Sequence, residues 1–178
     1  MSASINAFGR ACFGAALGLS LLISAVAAQE ATPTPAEVGR SVPDEGYNHA
    51  PAGTPLQYAS NPPSSGTHYP TWTRSGVYAE QQETGYWVHS LEHGYVVILY
   101  RCSDGCPELV EQLTQFYEAA PKSASFGFQK LIVTPYPEME HQIAVVAWTH
   151  IDEFDQFDAQ RLLTFYQAYQ DRGPESAP

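Results

Sequence analysis

The chain has 178 residues, a formal net charge of −11 and only 15% charged side chains. This length fits about one domain. Hydrophobic residues make up 44% of the chain, with eleven Tyr and three Trp among its residues. That is enough for a packed core and excludes wholesale disorder. The negative charge argues against nucleic acid and anionic lipid surfaces as partners, and gives a general bias towards cations.

Residues 1–28 have the pattern of a secretory signal peptide. Arg10 supplies positive charge, an apolar run extends from Ala11 to Ile23, and small residues follow at 24–28. The run is shorter than the roughly 20 apolar residues of a membrane-spanning helix. We therefore expect a periplasmic or extracellular protein, which is tied to the membrane only if the segment stays uncleaved.

A flexible linker at 29–42, a single globular domain at 43–175 and a tail at 176–178 are predicted to follow. Residues 43–73 are rich in Pro, Gly, Ser and Asn, yet contain four large aromatic residues, Tyr47, Tyr58, Tyr69 and Trp72. Aromatic residues in a turn-rich stretch indicate a long loop pinned to the domain, and such loops are often functional.

Regular structure is predicted after Gly85. The periodicity of apolar residues indicates a short strand or turn at 86–88, strands at 94–100, 130–135 and 142–149, and amphipathic helices at 107–120 and 158–171. The order β-α-β-β-α predicts an α/β (α+β) domain with a small mixed sheet. It contains a βαβ unit with the third strand antiparallel, in a thioredoxin-like or ferredoxin-like arrangement.

Two cysteines, Cys102 and Cys106, remain once Cys12 is removed with the signal peptide. In an oxidising compartment we expect them to form a disulfide that closes a tight loop. A redox-active dithiol and a pair of thiolate metal ligands are the alternatives. Thioredoxin-like motifs, however, place two residues between the cysteines, whereas three lie between them here.

Three of the six histidines fall in two short phrases. NPPSSGTHYP at 61–70 carries His68, and HSLEHG at 89–94 carries His89 and His93. Histidines four apart lie on one face of a helical turn, and a loop can add a third imidazole. Imidazole suits copper, zinc, nickel and iron, so these three residues are predicted metal ligands.

The phrase at 89–93 also fits H-x-x-E-H, in which two histidines bind zinc and the glutamate is a general base. That motif lies in a substantial helix, whereas Gly94 and a strand leave room here for a single turn. We therefore expect Glu92 to orient a histidine by a hydrogen bond rather than to catalyse.

A further candidate ligand lies in PYPEMEHQ at 135–142. Met139 and His141 are two residues apart, so only one of them is expected to face a given site. A thioether beside histidines favours copper, as Cu(I), although Met139 can equally pack beneath its loop. His49 and His150 are interpreted as structural or surface residues.

The chain resembles the bacterial family called domain of unknown function 3105. The resemblance is carried by the two histidine phrases together with GVY at 76–78, VHSLEHGYVVILYR at 88–101, AW at 147–148 and RGPE at 172–175. The resemblance covers about 47–175 and implies an exported or membrane-tethered protein, without an activity. It maps His68, His89 and His93 onto the family's characteristic histidines, while Cys102 and Cys106 lie outside its motifs.

The sequence thus predicts an exported metal-binding protein, with copper favoured and zinc as the alternative, that stores, delivers or sequesters the ion. Its expected partners are the metal ion and another exported metal-handling protein. No activated nucleophile, phosphate loop or cofactor fingerprint is visible. The alternatives are a metal-dependent hydrolase or oxidoreductase with Glu92 as base, and an interaction module whose histidines bind the Pro-rich loop to the sheet.

Overall fold

The computed structural model describes residues 38–103 and 105–178, so the predicted signal peptide lies outside the described part. Six strands and three helices follow in the order β1 (Arg40–Ser41), β2 (Gly76–Val77), α1 (Thr84–Glu92), β3 (Val96–Tyr100), α2 (Pro107–Ala119), β4 (Leu131–Pro135), β5 (Ile143–Ala147), β6 (His150–Phe154) and α3 (Ala159–Tyr169). Within the described residues, no helix is long and apolar enough to cross a bilayer.

The sheet is built around β3, whose five residues are all buried. Its strand order is β1-β6-β5-β3-β4-β2. β3 pairs parallel with β4, which follows α2, and antiparallel with β5. The predicted α+β class and the βαβ unit with an added antiparallel strand are therefore confirmed.

The two faces of the sheet carry separate apolar clusters, because alternate residues of a strand point to opposite sides. Val96, Ile98 and Tyr100 pack on the same side as buried residues of α2 and α3. Val97 and Leu99 pack on the other side, with α1 and the irregular loop. The sheet is thus a middle layer, and the two predicted histidine phrases lie on the α1 side.

Both predicted helices form where expected. Pro107 stands in the first turn of α2, where its missing N–H costs nothing. The Asp158 carboxylate accepts a hydrogen bond from the Arg161 amide at 3.0 Å and caps α3.

The prediction at 86–88 was wrong, because these residues lie in α1, which has nine residues rather than a single turn. Every residue from Trp87 to Glu92 is buried. A helix buried all round shows no apolar stripe at a period of 3.6 residues, so the periodicity that reveals amphipathic helices is missing.

The sequence also missed β6, which begins directly after the strand predicted at 142–149 and was not assigned to any element. Only Trp148 and Thr149 separate β5 from β6, and Thr149 has φ = 60°. Two-residue hairpin turns usually place Gly or Asn at such positions, so this turn lacks the expected sequence pattern.

The folded domain extends beyond both ends of the predicted range 43–175. Arg40 and Ser41 pair antiparallel with β6, and Val38 and Val42 are buried. At the other end, the Lys130 ammonium donates a hydrogen bond to the Ala177 carbonyl at 2.6 Å. The last residues of the predicted linker and the predicted tail therefore both contact the domain.

Cys102 and Cys106 are joined by a disulfide with their Cα atoms 5.7 Å apart. Replacing both by Ser is expected to lower the free energy of unfolding by about 1–3 kcal/mol, because such a short loop constrains the unfolded chain only modestly. Urea unfolding of both proteins measures this loss.

Two further measurements test the role of the cysteines. Thiol titration of the unfolded, unreduced wild type should find neither thiol free. Metal binding should survive the double substitution. Loss of metal binding would instead make the cysteines ligands.

Candidate metal site

The irregular loop brings His49 beside His68. Residues 46–50 run parallel to 66–68, with the His68 amide donating to the Asn48 carbonyl at 2.9 Å and the Ala50 amide donating to the His68 carbonyl at 2.8 Å. The two imidazole centroids are 4.7 Å apart. This backbone pairing places two imidazoles together on the α1 side of the sheet.

Helix α1 and His93, the residue that caps its C-terminal end, present three polar side chains to this loop. His89, Glu92 and His93 are separated by three and four residues, so they share one face. The loop is fastened to the helix by hydrogen bonds from the Tyr69 amide to the Gly85 carbonyl, at 3.1 Å, and from the Ser90 hydroxyl to the Thr73 carbonyl, at 2.8 Å. The side chains of His89, Glu92 and His93 are all buried beneath the loop.

The C-terminal segment completes the cluster. The Glu175 amide donates to the Glu92 carbonyl at 3.0 Å, and the Asp171 amide donates to the Gly94 carbonyl at 2.9 Å. These bonds hold the segment against the end of α1. The Glu175 carboxylate consequently lies 3.3 Å from Nε2 of His93.

Backbone carbonyls fix the orientation of two imidazoles. Nδ1–H of His68 donates to the Gly66 carbonyl at 2.8 Å, and Nδ1–H of His89 donates to the Tyr69 carbonyl at 2.6 Å. A carbonyl can only accept, so each neutral ring carries its proton on Nδ1 and a lone pair on Nε2. This arrangement is common for histidines that bind metals through Nε2.

The Nε2 atoms of the histidines lie close to one another and to the Glu92 carboxylate. Nε2 of His68 lies 3.0 Å from Oε2 of Glu92, and Nε2 of His89 lies 3.0 Å from Nε2 of His93. Oε2 of Glu92 is 3.6 Å from Nε2 of His49 and 4.0 Å from Nε2 of His89. A tetrahedral ion with bonds of about 2.0–2.1 Å holds its ligand atoms about 3.3 Å apart. The separations in the cluster are close to that value.

Two overlapping groups of potential ligands result. His49, His68, His89 and Glu92 form the first, which we call the loop group. His89, Glu92, His93 and Glu175 form the second, which we call the tail group. In each group the ligand atoms lie within 4.8 Å of one another. His89 and Glu92 belong to both groups. His68 belongs only to the loop group, and His93 belongs only to the tail group.

Burial favours the neutral, metal-binding form of two imidazoles, those of His68 and His93. Removal from water lowers the pKa of His68, against the opposing effects of the Gly66 carbonyl and the Glu92 carboxylate. Burial also lowers the pKa of His93, and the neighbouring His89 lowers it further. Nε2 of a neutral His68 and Oε2 of an ionised Glu92, which lie 3.0 Å apart, both offer lone pairs, so either a proton or a metal cation between them would make the contact attractive.

The other residues singled out in the sequence lie elsewhere. His141 pairs with Asp155 at 3.2 Å on the surface, and the His150 ring stacks on Tyr169. Neither belongs to the loop group or the tail group. Met139 is only 2% exposed and packs in the apolar cluster on the α1 side of the sheet.

Replacing Met139 with Leu tests whether its thioether is a ligand. Leucine keeps nearly the same volume, so a packing role predicts a stability change below about 1.5 kcal/mol. It also predicts unchanged Cu(I) affinity, which competition with a chromophoric chelator measures. We expect this outcome because Met139 packs among apolar side chains. A tenfold loss, about 1.4 kcal/mol, would instead identify a thioether ligand.

Three members of the cluster were not predicted as ligands. Glu92 was expected only to orient a histidine, and the other two were not connected with the site at all. His49 was interpreted as a structural or surface residue, and Glu175 was noted only as part of the RGPE phrase. Each comes from a chain segment far from 89–93, and no local spacing links them to it. The RGPE phrase, ending in a carboxylate, was the one available indication of a role for the C-terminal segment.

The fold and this cluster define an α+β domain that carries a buried histidine–carboxylate site under a long N-terminal loop. The sequence model of the family described as "Protein of unknown function (DUF3105)" matches residues 49–178, and the chain belongs to this family. No similar protein was found among curated proteins, and none among solved structures.

Proposed function

We propose that this chain is an exported metal-binding protein that stores, delivers or sequesters a transition-metal ion through its histidine–carboxylate cluster. The observation that carries the proposal is the convergence of the Nε2 lone pairs of His68 and His89 on Oε2 of Glu92, at 3.0 and 4.0 Å. The Nδ1 atoms of both rings are already bonded to carbonyls, so each neutral ring has its lone pair on Nε2, where it can bind a metal ion.

The donor set favours copper as Cu²⁺, with zinc as the alternative. The cluster consists of imidazole nitrogens and carboxylate oxygens. For such sites the affinity of divalent ions peaks at Cu²⁺ and is lower for Zn²⁺. Cu(I) prefers soft sulfur donors, and its binding here depends on the role of Met139.

Metal titration of the protein, purified without a histidine tag and freed of metal by chelation, tests the proposal. Cu²⁺ and Zn²⁺ are added separately, with a chromophoric chelator as competitor, and bound metal is counted by elemental analysis. We expect both ions to bind, with Cu²⁺ the tighter. Failure of both ions to bind would refute the proposal.

The length of α1 supports a metal-dependent hydrolase as a second candidate. With H-x-x-E-H at the C-terminal end of the nine-residue helix α1, which His93 caps, His89, His93 and Glu175 can hold zinc while Glu92 acts as general base. Under the leading proposal, zinc-loaded protein hydrolyses neither peptide nor ester substrates. Hydrolysis that is present in the wild type and lost in Glu92→Gln, with the zinc content unchanged, would establish the enzyme instead.

A further inference from the structure

We propose that the cluster has two ion positions, bridged by Glu92 and completed on one side by Glu175 of the C-terminal segment. This inference rests on the proposed metal binding and extends it. The loop group and the tail group together offer four histidines and two glutamates. A tetrahedral ion uses about four ligands, so six convergent side chains exceed what one such ion needs.

Glu92 is suited to lie between two ions. It belongs to both groups, and a carboxylate has two oxygens that can bind different metals. In bridged sites of this kind the ions lie about 3.5–4 Å apart. His89 differs, since its Nδ1 proton is donated to Tyr69 and only one lone pair remains. It therefore binds one ion at a time and can serve either position.

The remaining ligands separate cleanly between the two positions. His49 and His68 belong only to the loop group, and His93 and Glu175 only to the tail group. Each position also has one accessible ligand, because the side chains of His49 and Glu175 are 47% and 54% exposed. Ions can thus reach either position from solvent without opening the buried centre.

The place of Glu175 is built by the fold around it. A Cβ atom added to Gly173 would lie 2.0 Å from the Glu92 carbonyl oxygen, so only glycine permits this approach to α1. Lys130 bonds to the His93 and Ala177 carbonyls at 2.7 and 2.6 Å and pairs with Asp171 at 3.2 Å. These contacts fix residues on both sides of Glu175 relative to His93. Such close packing makes Glu175 a positioned ligand rather than a chance surface neighbour.

Stoichiometry at saturation with Cu²⁺ or Zn²⁺, measured by calorimetry and elemental analysis, tests the two positions. We expect two equivalents for the wild type and one for His93→Ala, which leaves the loop group intact. Glu175→Gln should weaken the second equivalent at least tenfold and leave the first unchanged. Glu118→Gln, at an exposed glutamate of α2, is the matched control and should still bind two. Circular dichroism checks that each variant is folded.

The outcomes separate this inference from the function on which it rests. One equivalent in the wild type would overturn the second position and leave metal binding in place. Two equivalents in both His93→Ala and Glu175→Gln would also overturn it, because the second ion would then lie outside the tail group. A wild type that binds neither ion would refute the proposed function as well.

Discussion

Replacing His89 with Ala is expected to weaken binding of the first metal ion by more than about 100-fold. Loss of a side chain that merely orients a ligand typically costs 10–100-fold in affinity, and His89 is proposed to bind the ion itself. It belongs to both the loop group and the tail group, and its lone pair is directed by the bond to Tyr69. Without it, each group of four potential ligands is reduced to three.

The measurement is competition with a chromophoric chelator for Cu²⁺ and for Zn²⁺. His141→Ala and His150→Ala serve as controls, because they also remove an imidazole, but one that lies outside both groups. Their affinities should stay within about threefold of wild type, a difference below 1 kcal/mol. Equal affinities in wild type and His89→Ala would exclude the cluster as the metal site.

Replacing Lys130 with Met is expected to lower the free energy of unfolding by about 3 kcal/mol, because two carbonyls and the partly exposed Asp171 carboxylate lose a buried donor. Lys130 is fully buried, and its ammonium pairs with Asp171 at 3.2 Å besides bonding to two carbonyls. Burial lowers its pKa, while Asp171 opposes that shift. Methionine keeps the apolar stem but leaves these partners without a donor.

The chain contains one other lysine, Lys122, which is exposed and provides the matched control. Lys122→Met should change stability by no more than about 0.5 kcal/mol, as is usual for surface substitutions. Urea unfolding at neutral pH measures both variants. A loss below 1 kcal/mol in Lys130→Met would show that the C-terminal segment does not depend on this ammonium.

Periodicity made much of the fold predictable. β3 is buried on both faces and is therefore an unbroken apolar run. Helices α2 and α3 are buried on one face and therefore show apolar residues at helical spacing. Helix α1 escaped prediction because the loop, the sheet and the C-terminal segment cover it on all sides. Its polar side chains are buried together with its apolar ones, so its sequence does not show the contrast between an exposed polar face and a buried apolar face that marks an amphipathic helix.

The sequence by itself determined that His68, His89 and His93 are candidate ligands, since their phrases are specific and their spacing suits a helical face. It also determined that Cys102 and Cys106 lie close enough to bridge. Both conclusions depend on residues that are near one another in the chain, where spacing limits the geometry.

Only the tertiary structure decided how these histidines are grouped and which carboxylates join them. His49 reaches His68 through parallel backbone pairing, and Glu175 reaches His93 because Gly173 allows the chain to touch α1. Glu92, expected to orient a histidine, lies 3.0 Å from Nε2 of His68 and belongs to both groups of potential ligands. His49 and His68 are 19 residues apart in the chain, and His93 and Glu175 are 82 residues apart. Separations of that size leave no periodic trace in a sequence, because the backbone path between the segments sets them.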